Sequence, residues 1–486
     1  MILPLFLAVP LFAAALAAML PWRWMRDALM LIIPVVAGCG GVYLFQHGIM
    51  THNIGLYVGG VSIPFASDQF SAVMIIAASI VAFFSLLFAL YAGETRARFF
   101  PTLALMLLGG VYGALLTADL FNLFVMVEVM LLPSYALLAM TGGRSRLAAG
   151  RTFVLSNLLA STMLVMGVSV VYGVSGTVNI AALAGAASEG PIVIAMGVVV
   201  LALAIKAGVF PMHTWLPRTY PSTSSAVMGL FSGLHTKVAV YALYRIYVVI
   251  FDSSPRWATF IVVVMIISML VGGFAGLGET TIRRVLAYQM VNGMPFILVM
   301  LAFSSEAALA AGIFYMIHHM ITVGSLILTT GAIEETYGTG TLSKLSGIAR
   351  RDPWTSTFWA AAAFSLIGFP PFSGLWGKVG ILIQAATFKS WWLIAAIIVA
   401  SIGALLSMLR VWRKVFWGKP PKRYPATLVV APIKALPGGA LLACSLLMFI
   451  FAGPLTDVCS TASASLLDVP SYTSSILGTD PIGVVR

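Results

Sequence analysis

The chain is poor in charged residues. Only 9% of its 486 residues are Asp, Glu, Lys or Arg, and 60% belong to the hydrophobic set. The mean hydropathy is +1.03, whereas a soluble globular domain has a charged fraction of about a quarter. This composition excludes a soluble enzyme or binding module. It predicts a polytopic membrane protein in which each helical span takes about 20 apolar residues.

Cysteine is also scarce. Cys39, Cys444 and Cys459 are too few and too far apart for a disulfide framework, a metal site or an iron–sulfur cluster, and no Gly-rich nucleotide loop is present. We therefore expect no metal and no cofactor. The net charge is +12, but the basic residues are scattered through short loops, so we expect the lipid bilayer, not nucleic acid, as the surrounding partner.

Long apolar runs are what the sequence has in abundance. They predict about 14 transmembrane helices near residues 2–20, 29–47, 69–92, 100–117, 120–141, 152–173, 192–211, 223–250, 257–277, 285–303, 307–331, 354–386, 391–412 and 435–453. The segment from His52 to Ser67 alternates and contains Gly and Pro, which predicts a small extracytoplasmic hairpin. The Ser/Thr/Pro/Gly-rich residues from Asp457 onward are expected to form a loose tail.

The loop charges predict the orientation of these spans. The odd-numbered loops carry 19 basic residues, whereas the opposite side carries only Arg256, Lys389 and Arg486. By the positive-inside rule the odd loops are cytoplasmic and both termini are extracytoplasmic. A single miscounted span would reverse every later loop and destroy this asymmetry, so the split supports the count of 14.

Five basic residues remain inside the predicted spans: Lys206, Lys237, Arg245, Lys378 and Arg410. Arg245 and Arg410 lie near helix ends, where long side chains can reach the headgroups. The three lysines are deeper, and Glu128 is the acid that lies well inside a span, while Asp119 lies at the mouth of the same helix. An ionisable group near the bilayer centre costs about 3 kcal/mol, so such groups are retained for a reason.

The reason could be a structural ion pair between Glu128 and Lys206, but the set is larger than one pair. His235, His318 and His319 lie at similar depth, so together with the lysines and Glu128 the spans contain a series of protonatable groups. Moving Glu128 toward or away from Lys206 would load or release a proton, and histidines could pass protons between lysines. A buried histidine can equally be a satisfied polar residue.

Two spans are expected to be discontinuous. The seventh contains IKAGVFPMHTWLP, in which Gly208, Pro211 and His213 follow Lys206, and the twelfth contains SLIGFPPFSGLWGK, in which the breaking residues precede Lys378: Gly368, Pro370 and Pro371. Proline removes a backbone donor, and the freed carbonyls are tolerated at membrane depth only inside protein or along a water-filled cavity. A pair of packing kinks is the alternative explanation.

Interrupted helices 7 and 12 predict two inverted five-helix repeats, spans 4–8 and 9–13. The expected fold is thus an all-α polytopic membrane protein. Its expected parts are residues 1–99 with the hairpin, 100–251 as the first repeat, 252–416 as the second, and 417–486 with helix 14 and the tail.

Five motifs in this order resemble the antiporter-like subunits shared by respiratory complex I and Mrp-type cation/proton antiporters: TADLFNLFVMVE, IKAGVFPMHTWLPRTYP, GLHTKVAVYALYR, YMIHHMI and GFPPFSGLWGK. DLFNLFVMVE and HTWLPRTYP are most similar to the D-subunit family of the Mrp antiporters. The resemblance extends over nearly the whole chain.

The resemblance implies that Glu128 and Lys206 form the charged pair of a first half-channel. Lys237 would be the connecting group and Lys378 the terminal group of the second half-channel, with His318 and His319 between them. The chain departs from the pattern at Val323, where related complex I subunits often have lysine. The relay would then depend on His319, Thr322 and water.

The resemblance further implies a proton-translocating subunit of a multisubunit Na⁺/H⁺ antiporter in a bacterial plasma membrane. Its partners would be other hydrophobic subunits, with H⁺ and Na⁺ as the transported ions. The alternative is a proton-pumping subunit of a redox complex, such as NADH dehydrogenase or a membrane-bound hydrogenase. A structural anchor would not explain the buried charges, and nothing indicates the recognition groups of an organic-solute transporter.

Overall fold

The structure is a computed structural model that describes residues 2–57, 61–140, 144–421, 424–425 and 427–478. Three basic residues counted in the loop-charge prediction, Lys422, Arg423 and Arg486, lie outside the described residues.

Helices make up most of the described chain. The first ten are α1 (Leu5–Met19), α2 (Arg23–His47), α3 (Gln69–Ala92), α4 (Phe100–Leu116), α5 (Leu120–Ala139), α6 (Arg144–Ser175), α7 (Pro191–Ala207), α8 (Trp215–Thr219), α9 (Ser225–Gly233) and α10 (His235–Val249). The second ten are α11 (Ala258–Ala275), α12 (Ile282–Leu298), α13 (Glu306–Tyr337), α14 (Ile348–Arg351), α15 (Pro353–Ile367), α16 (Gly374–Thr387), α17 (Trp391–Val411), α18 (Pro432–Ile450), α19 (Ala452–Leu467) and α20 (Val469–Leu477). Two short strands, β1 (Met50–Asn53) and β2 (Pro64–Ser67), pair antiparallel.

The helices coincide with the predicted spans. Among the described residues, ten helical segments are long and apolar enough to cross a membrane, and α7 with the segment Met212–Ser222 forms a further one that is bent by 41°. The remaining predicted spans correspond to the shorter apolar helices α1 and α4 and to the broken pair α15 and α16. The all-helical, multi-pass fold is confirmed. The count of 14 crossings and the inverted repeats stay predictions.

Helix α13 forms the centre of the bundle. It packs against α3, α9, α12, α15, α16, α18 and α19. Its N-terminus is capped by Ser305, whose hydroxyl accepts from Ala308 N, and it ends at Gly338, where φ is 70° and glycine is favoured. Because neighbours surround this helix on most sides, its polar residues are shielded from lipid.

The seventh span is interrupted as predicted. Helix α7 ends at Gly208, whose φ of 75° is in the left-handed region, and Pro211 follows in the linker to α8. The Trp215 indole N–H donates to the Ile205 carbonyl oxygen at 2.9 Å. A neutral side chain from the far side of the break therefore satisfies a carbonyl at the end of α7.

The twelfth span is interrupted in a similar way. Helix α15 ends at Gly368, where φ is 102°, and Pro370 and Pro371 lie in the linker before α16. Here the Lys378 ammonium donates to the Ile367 carbonyl oxygen at 2.8 Å. The two breaks therefore use donors of different kinds, an indole in one and an ammonium in the other.

The eighth span has a local irregularity that was not predicted. At Leu234, between α9 and α10, φ is −114° and ψ is −61°, but Val238 N still donates to the Leu234 carbonyl oxygen at 2.9 Å, so Ser225–Val249 runs through as one span. The sequence contains Gly233 at this place but no proline. His235 and Lys237 follow the irregularity and are buried inside the protein.

The pairing of β1 with β2, in which Met50 lies opposite Ser67, forms the predicted hairpin, and its extracytoplasmic position stays a prediction. The prediction of a loose tail after Asp457 is wrong for residues 457–478, and residues 479–486 lie outside the described residues. Helix α19 continues from α18 and lies along α13, where Ser463 Oγ donates to the Glu306 carbonyl oxygen at 2.8 Å. The small polar residues of this segment alternate with buried apolar ones, which gives the helices a packing face.

The prediction that Arg245 reaches the headgroups is also wrong. Arg245 is buried, and its guanidinium forms an ion pair with Asp68 at 2.6 Å. The rings of Tyr241 and Tyr472 lie 5.7 and 4.7 Å from its guanidinium carbon. Arg410 does lie at the end of its helix, α17, and donates to the Glu279 carbonyl oxygen at 2.7 Å.

Candidate ion-translocation site

Helices α5, α6 and α7 bring together Glu128, Ser161 and Lys206. Ser161 Oγ donates to Glu128 Oε1 and accepts a hydrogen bond from Lys206 Nζ at 2.8 Å. The described residues contain no direct ion pair between Glu128 and Lys206. The carboxylate and the ammonium predicted to form a pair are therefore connected through one hydroxyl group.

The environment of this group is mostly protein. Lys206 and Ser161 are buried, whereas Glu128 is half-buried. Lys206 lies in the last turn of α7, next to the break. A cation is favoured there because the partial negative charge of the helix lies at its C-terminus.

His235 is the next ionisable group. It lines a small cavity of about 10 Å³ together with Lys206, which is about the space that one water molecule requires. His235 Nε2 and Ser134 Oγ are 2.9 Å apart, and the imidazole stacks on Phe231 with a centroid distance of 4.3 Å. This stacking and the contact with Ser134 hold His235 beside the Lys206 cavity.

Lys237 and His319 form a second bonded group. Lys237 Nζ lies 3.0 Å from His319 Nδ1, and His319 Nε2 lies 3.4 Å from the Gln289 carbonyl oxygen. A carbonyl can only accept, so Nε2 carries the hydrogen and Nδ1 is free to accept from Lys237. Lys237 Nζ also donates to Thr236 Oγ1 at 3.4 Å.

His318 belongs to a third group, on the next face of α13, because consecutive helix residues project about 100° apart. Its Nδ1 lies 2.7 Å from Ser373 Oγ and 3.2 Å from Thr322 Oγ1. Further hydroxyl contacts extend this group to Ser365 and Ser445. Val323 is buried next to Thr322 and adds no polar atom. The structure thus brings Thr322 to His318, whereas His319 faces Lys237.

Lys378 is the last of the predicted lysines. Its Nζ donates to the Ile367 carbonyl oxygen and to Ser401 Oγ, each at 2.8 Å, and lies 5.1 Å from the Phe296 ring centre. These partners are all neutral. Because Lys378 is buried, its charged form depends on these hydrogen bonds for stabilisation.

Two predicted residues lie apart from these groups. Asp119 caps α5 by accepting from Asn122 N at 2.7 Å and lines a cavity of about 620 Å³. Burial raises the pKa of the Asp119 carboxyl, and the hydrogen bond from Asn122 N opposes this effect. Asp119 is roughly 13 Å from Glu128 along α5 at 1.5 Å per residue. His213 stacks on Phe210 with a centroid distance of 5.9 Å in the first break.

Neutral serines are the functional candidates that the sequence reasoning missed. Ser161, Ser134, Ser373 and Ser401 each contact a predicted ionisable residue. The cost of burial draws attention to ionisable groups, although a serine in an apolar helix is also a polar group at membrane depth. Ser and Thr residues in the spans that carry the buried charges are the signal that could have found them.

This arrangement defines a class of multi-pass membrane proteins, in which interrupted helices hold ionisable side chains inside the bundle. Residues 117–403 match the family described as "NADH:quinone oxidoreductase/Mrp antiporter, TM". The chain belongs to this family, and within it the chain is D-subunit-like, as its motifs suggested.

Named relatives and solved structures agree with that assignment. The chain is 31% identical to the D subunit of the Na(+)/H(+) antiporter of Alkalihalophilus pseudofirmus over 90% of each chain. A chain in the structure of the Mrp complex from Dietzia sp. is 39% identical with a TM-score of 0.93, covering 98% of this chain and 99% of that one. A chain of Thermus thermophilus complex I is 23% identical with a TM-score of 0.77, covering 94% and 98%, and shows the shared fold alone.

Proposed function

We propose that this chain is the proton-translocating subunit of a multisubunit Na⁺/H⁺ antiporter in a bacterial plasma membrane. It is a transporter subunit and not an enzyme, and it works with other hydrophobic membrane subunits that couple proton movement to sodium extrusion. The names of the D-subunit relatives and the Mrp complex support this assignment.

The observation that carries the proposal is the hydroxyl of Ser161 between Glu128 and Lys206. A hydroxyl that accepts from an ammonium and donates to a carboxylate can pass a proton in one concerted shift, because the hydroxyl oxygen gives up one hydrogen as it gains another. Motion of α5 relative to α7 would open or close this connection. The proton affinity of Lys206 would then depend on whether Glu128 is connected.

The remaining groups extend the route along the membrane plane. The Lys206 cavity leads to His235, and the first turn of α10 leads from His235 to Lys237 and its partner His319. Beyond α13, the His318 hydroxyl cluster leads toward Lys378. In this proposal, protons move by successive local transfers, and water completes the steps between neighbouring groups.

A redox-driven pump is the alternative within the same family, whose description covers both kinds of complex. The higher identity to the Mrp chain, 39% against 23% for complex I, favours the antiporter. Identification of the subunits that co-purify with the chain decides between them. Small hydrophobic proteins alone support the antiporter, and flavin or iron–sulfur subunits contradict it.

The relay itself is tested with charge variants in the intact complex. Glu128→Ala and Lys206→Ala should each abolish antiport while leaving an assembled population. Each single variant leaves the other charged group without the partner to which Ser161 connects it, so the double neutral variant should assemble better than either single one. It should still transport nothing, because restored stability does not restore a titratable site.

Lys206→Arg separates charge from proton release, because a guanidinium stays protonated at the working pH. We expect this variant to assemble and to be inactive. Lys389→Arg, in an exposed loop, is the matched control and should retain antiport. Near-normal antiport by Lys206→Arg or by the double neutral variant would leave only a structural role for the pair.

A further inference from the structure

Glu94 is a carboxylate outside the helical spans that the relay does not include. It lies between α3 and α4, on the face that the loop charges assign to the cytoplasm. Ser224 Oγ donates to Glu94 Oε2 at 2.5 Å and accepts from Val227 N at 3.3 Å, which caps α9. Glu94 is therefore joined to the N-terminus of the eighth span, which also contains Lys237.

The charges around Glu94 come from several helices. Arg146 and Arg283 favour its ionised form and Glu335 disfavours it. Arg283 also pairs with Glu334, at 2.6 Å. Lys434 Nζ lies 3.9 Å from Glu335 Oε2, and Arg23 of α2 donates to Thr95, the residue after Glu94, at 2.9 Å.

Burial has the largest effect on Glu94. It outweighs the surrounding charges and the Ser224 hydrogen bond and raises the pKa of Glu94 to about 7.

Hydroxyl groups continue inward from Glu94 along the seam between α3 and α9. Ser85 of α3 faces Gly229 of α9 so closely that a Cβ at Gly229 would stand 2.7 Å from Ser85 Oγ. Ser232 follows one turn further along α9. Both serines are fully buried, and neither hydroxyl has a partner among the described residues. Buried hydroxyls without a protein partner are usually satisfied by water.

The inner end of this seam meets the relay. Thr236 Oγ1 donates to the Ser232 carbonyl oxygen and accepts from Lys237 Nζ, each at 3.4 Å. Ser224 and Thr236 are roughly 18 Å apart at 1.5 Å per residue. Ser85, opposite Gly229, and Ser232 divide that distance into three shorter steps.

We infer that Glu94 is the cytoplasmic proton-loading site of the chain, connected to Lys237 by a water chain along Ser85 and Ser232. The inference rests on the proposed relay and adds its cytoplasmic port. The Glu94 carboxylic acid gives its proton to the adjoining water, the chain shifts one proton inward, and the neutral Lys237 amine takes up the last one. The reverse sequence releases a proton to the cytoplasm.

The test uses the whole complex in everted membrane vesicles, in which the cytoplasmic face is exposed to the medium. Antiport is measured while the external pH is titrated across about pH 6 to 8.5. The wild type should show a midpoint near pH 7. Glu94→Gln keeps an acceptor for Ser224 but cannot titrate, so it should remove that midpoint and lower the rate at least about tenfold. Glu335→Gln removes a nearby carboxylate outside the route, so it should keep the rate and move the midpoint to a lower pH, because Glu335 disfavours the ionised form of Glu94.

Serine variants test the route separately from the port. Ser232→Ala should lower the rate without moving the midpoint. Ser79→Ala is the matched control, because Ser79 is buried on α3 but bonds to Tyr112 at 2.9 Å, and it should behave as the wild type.

An unchanged midpoint and rate in Glu94→Gln would overturn the inference. If that variant does not assemble, Ser232→Ala decides, and a rate equal to that of Ser79→Ala would overturn it. Glu128→Ala shows which idea has failed. If Glu128→Ala loses antiport and Glu94→Gln keeps a normal pH profile, only the proposal that Glu94 is the loading site is refuted. If Glu128→Ala remains active, the proposed relay itself is refuted.

Discussion

Removal of one hydroxyl, in Ser161→Ala, should interrupt the proposed relay without changing any charge. The Ser161 hydroxyl connects Lys206 Nζ to Glu128 Oε1. The substitution leaves both charged groups in place and takes away only the atom between them. It therefore separates proton transfer from electrostatic stabilisation, which charge variants cannot do.

The magnitude follows from the bonds that are lost. A hydrogen bond to a charged group contributes about 1.5 to 3 kcal/mol. If one such bond is missing at the transfer step, antiport should fall roughly 10- to 150-fold, since about 1.4 kcal/mol corresponds to a factor of ten. The cavity of about 10 Å³ beside Lys206 could admit a water in place of the hydroxyl, which would place the loss toward the lower end.

The assay is sodium-dependent proton movement in everted vesicles, with assembly of the complex quantified in the same preparation. Ser161→Thr keeps the hydroxyl and should retain most of the antiport. Ser169→Ala is the control on the same helix, because its hydroxyl donates only to the Val165 carbonyl oxygen and faces outward. Wild-type antiport in an assembled Ser161→Ala complex would refute the bridging role.

Four further outcomes are expected. In a cysteine-free background, Ser474→Cys should be labelled from outside intact cells and Ser343→Cys only after permeabilisation; the reverse pattern contradicts the topology. The purified chain alone in liposomes should not catalyse Na⁺/H⁺ exchange, because its membrane charges lack a carboxylate-lined sodium site, and robust exchange would be the contrary result. Asp68→Asn should destabilise the detergent-solubilised complex by about 3 to 5 kcal/mol in thermal unfolding, since it leaves Arg245 buried and unpaired, and adding Arg245→Met should restore much of the loss. Because the pKa of Glu94 is raised to about 7, stability should fall as pH rises from about 4.5 through 7, and Glu94→Gln should remove that part of the pH dependence; an unchanged profile would argue against the raised pKa.

The composition, together with the charged, Gly and Pro residues that separate the apolar runs, was sufficient to predict most of the helices. Each apolar run became a helix because the backbone in lipid must satisfy its own hydrogen bonds. The breaks at Gly208 and Gly368 were predictable because glycine and proline occurred together. The irregularity at Leu234 was not, because no proline marks it.

The candidate site was predictable to the level of ionisable residues. These residues could be identified from the sequence because burying a charge in an apolar span costs free energy, so such charges are rare. Their connections could not, because Ser161 in α6 and Ser373 in the linker before α16 are ordinary serines until the fold places them beside an ionisable group. Arg245 was misjudged for a related reason, since its partner Asp68 lies 177 positions earlier in the chain and only the folded bundle brings them together.

The two broken helices differ in how they should respond to the membrane voltage. A neutral indole closes the first break and carries no net charge through the field, whereas an ammonium closes the second. A full charge crossing the bilayer experiences about 2.3 kcal/mol per 100 mV, so even a partial displacement of Lys378 couples its contact with Ile367 to the potential. The contact between Lys378 and Ile367 should therefore respond directly to the potential, whereas the contact between Trp215 and Ile205 should not. The test is the accessibility of a cysteine introduced at Ser373 or at Thr214, measured at different membrane potentials. Accessibility that depends on the potential at Ser373 but not at Thr214 would support this difference, and the same dependence at both positions would argue against it.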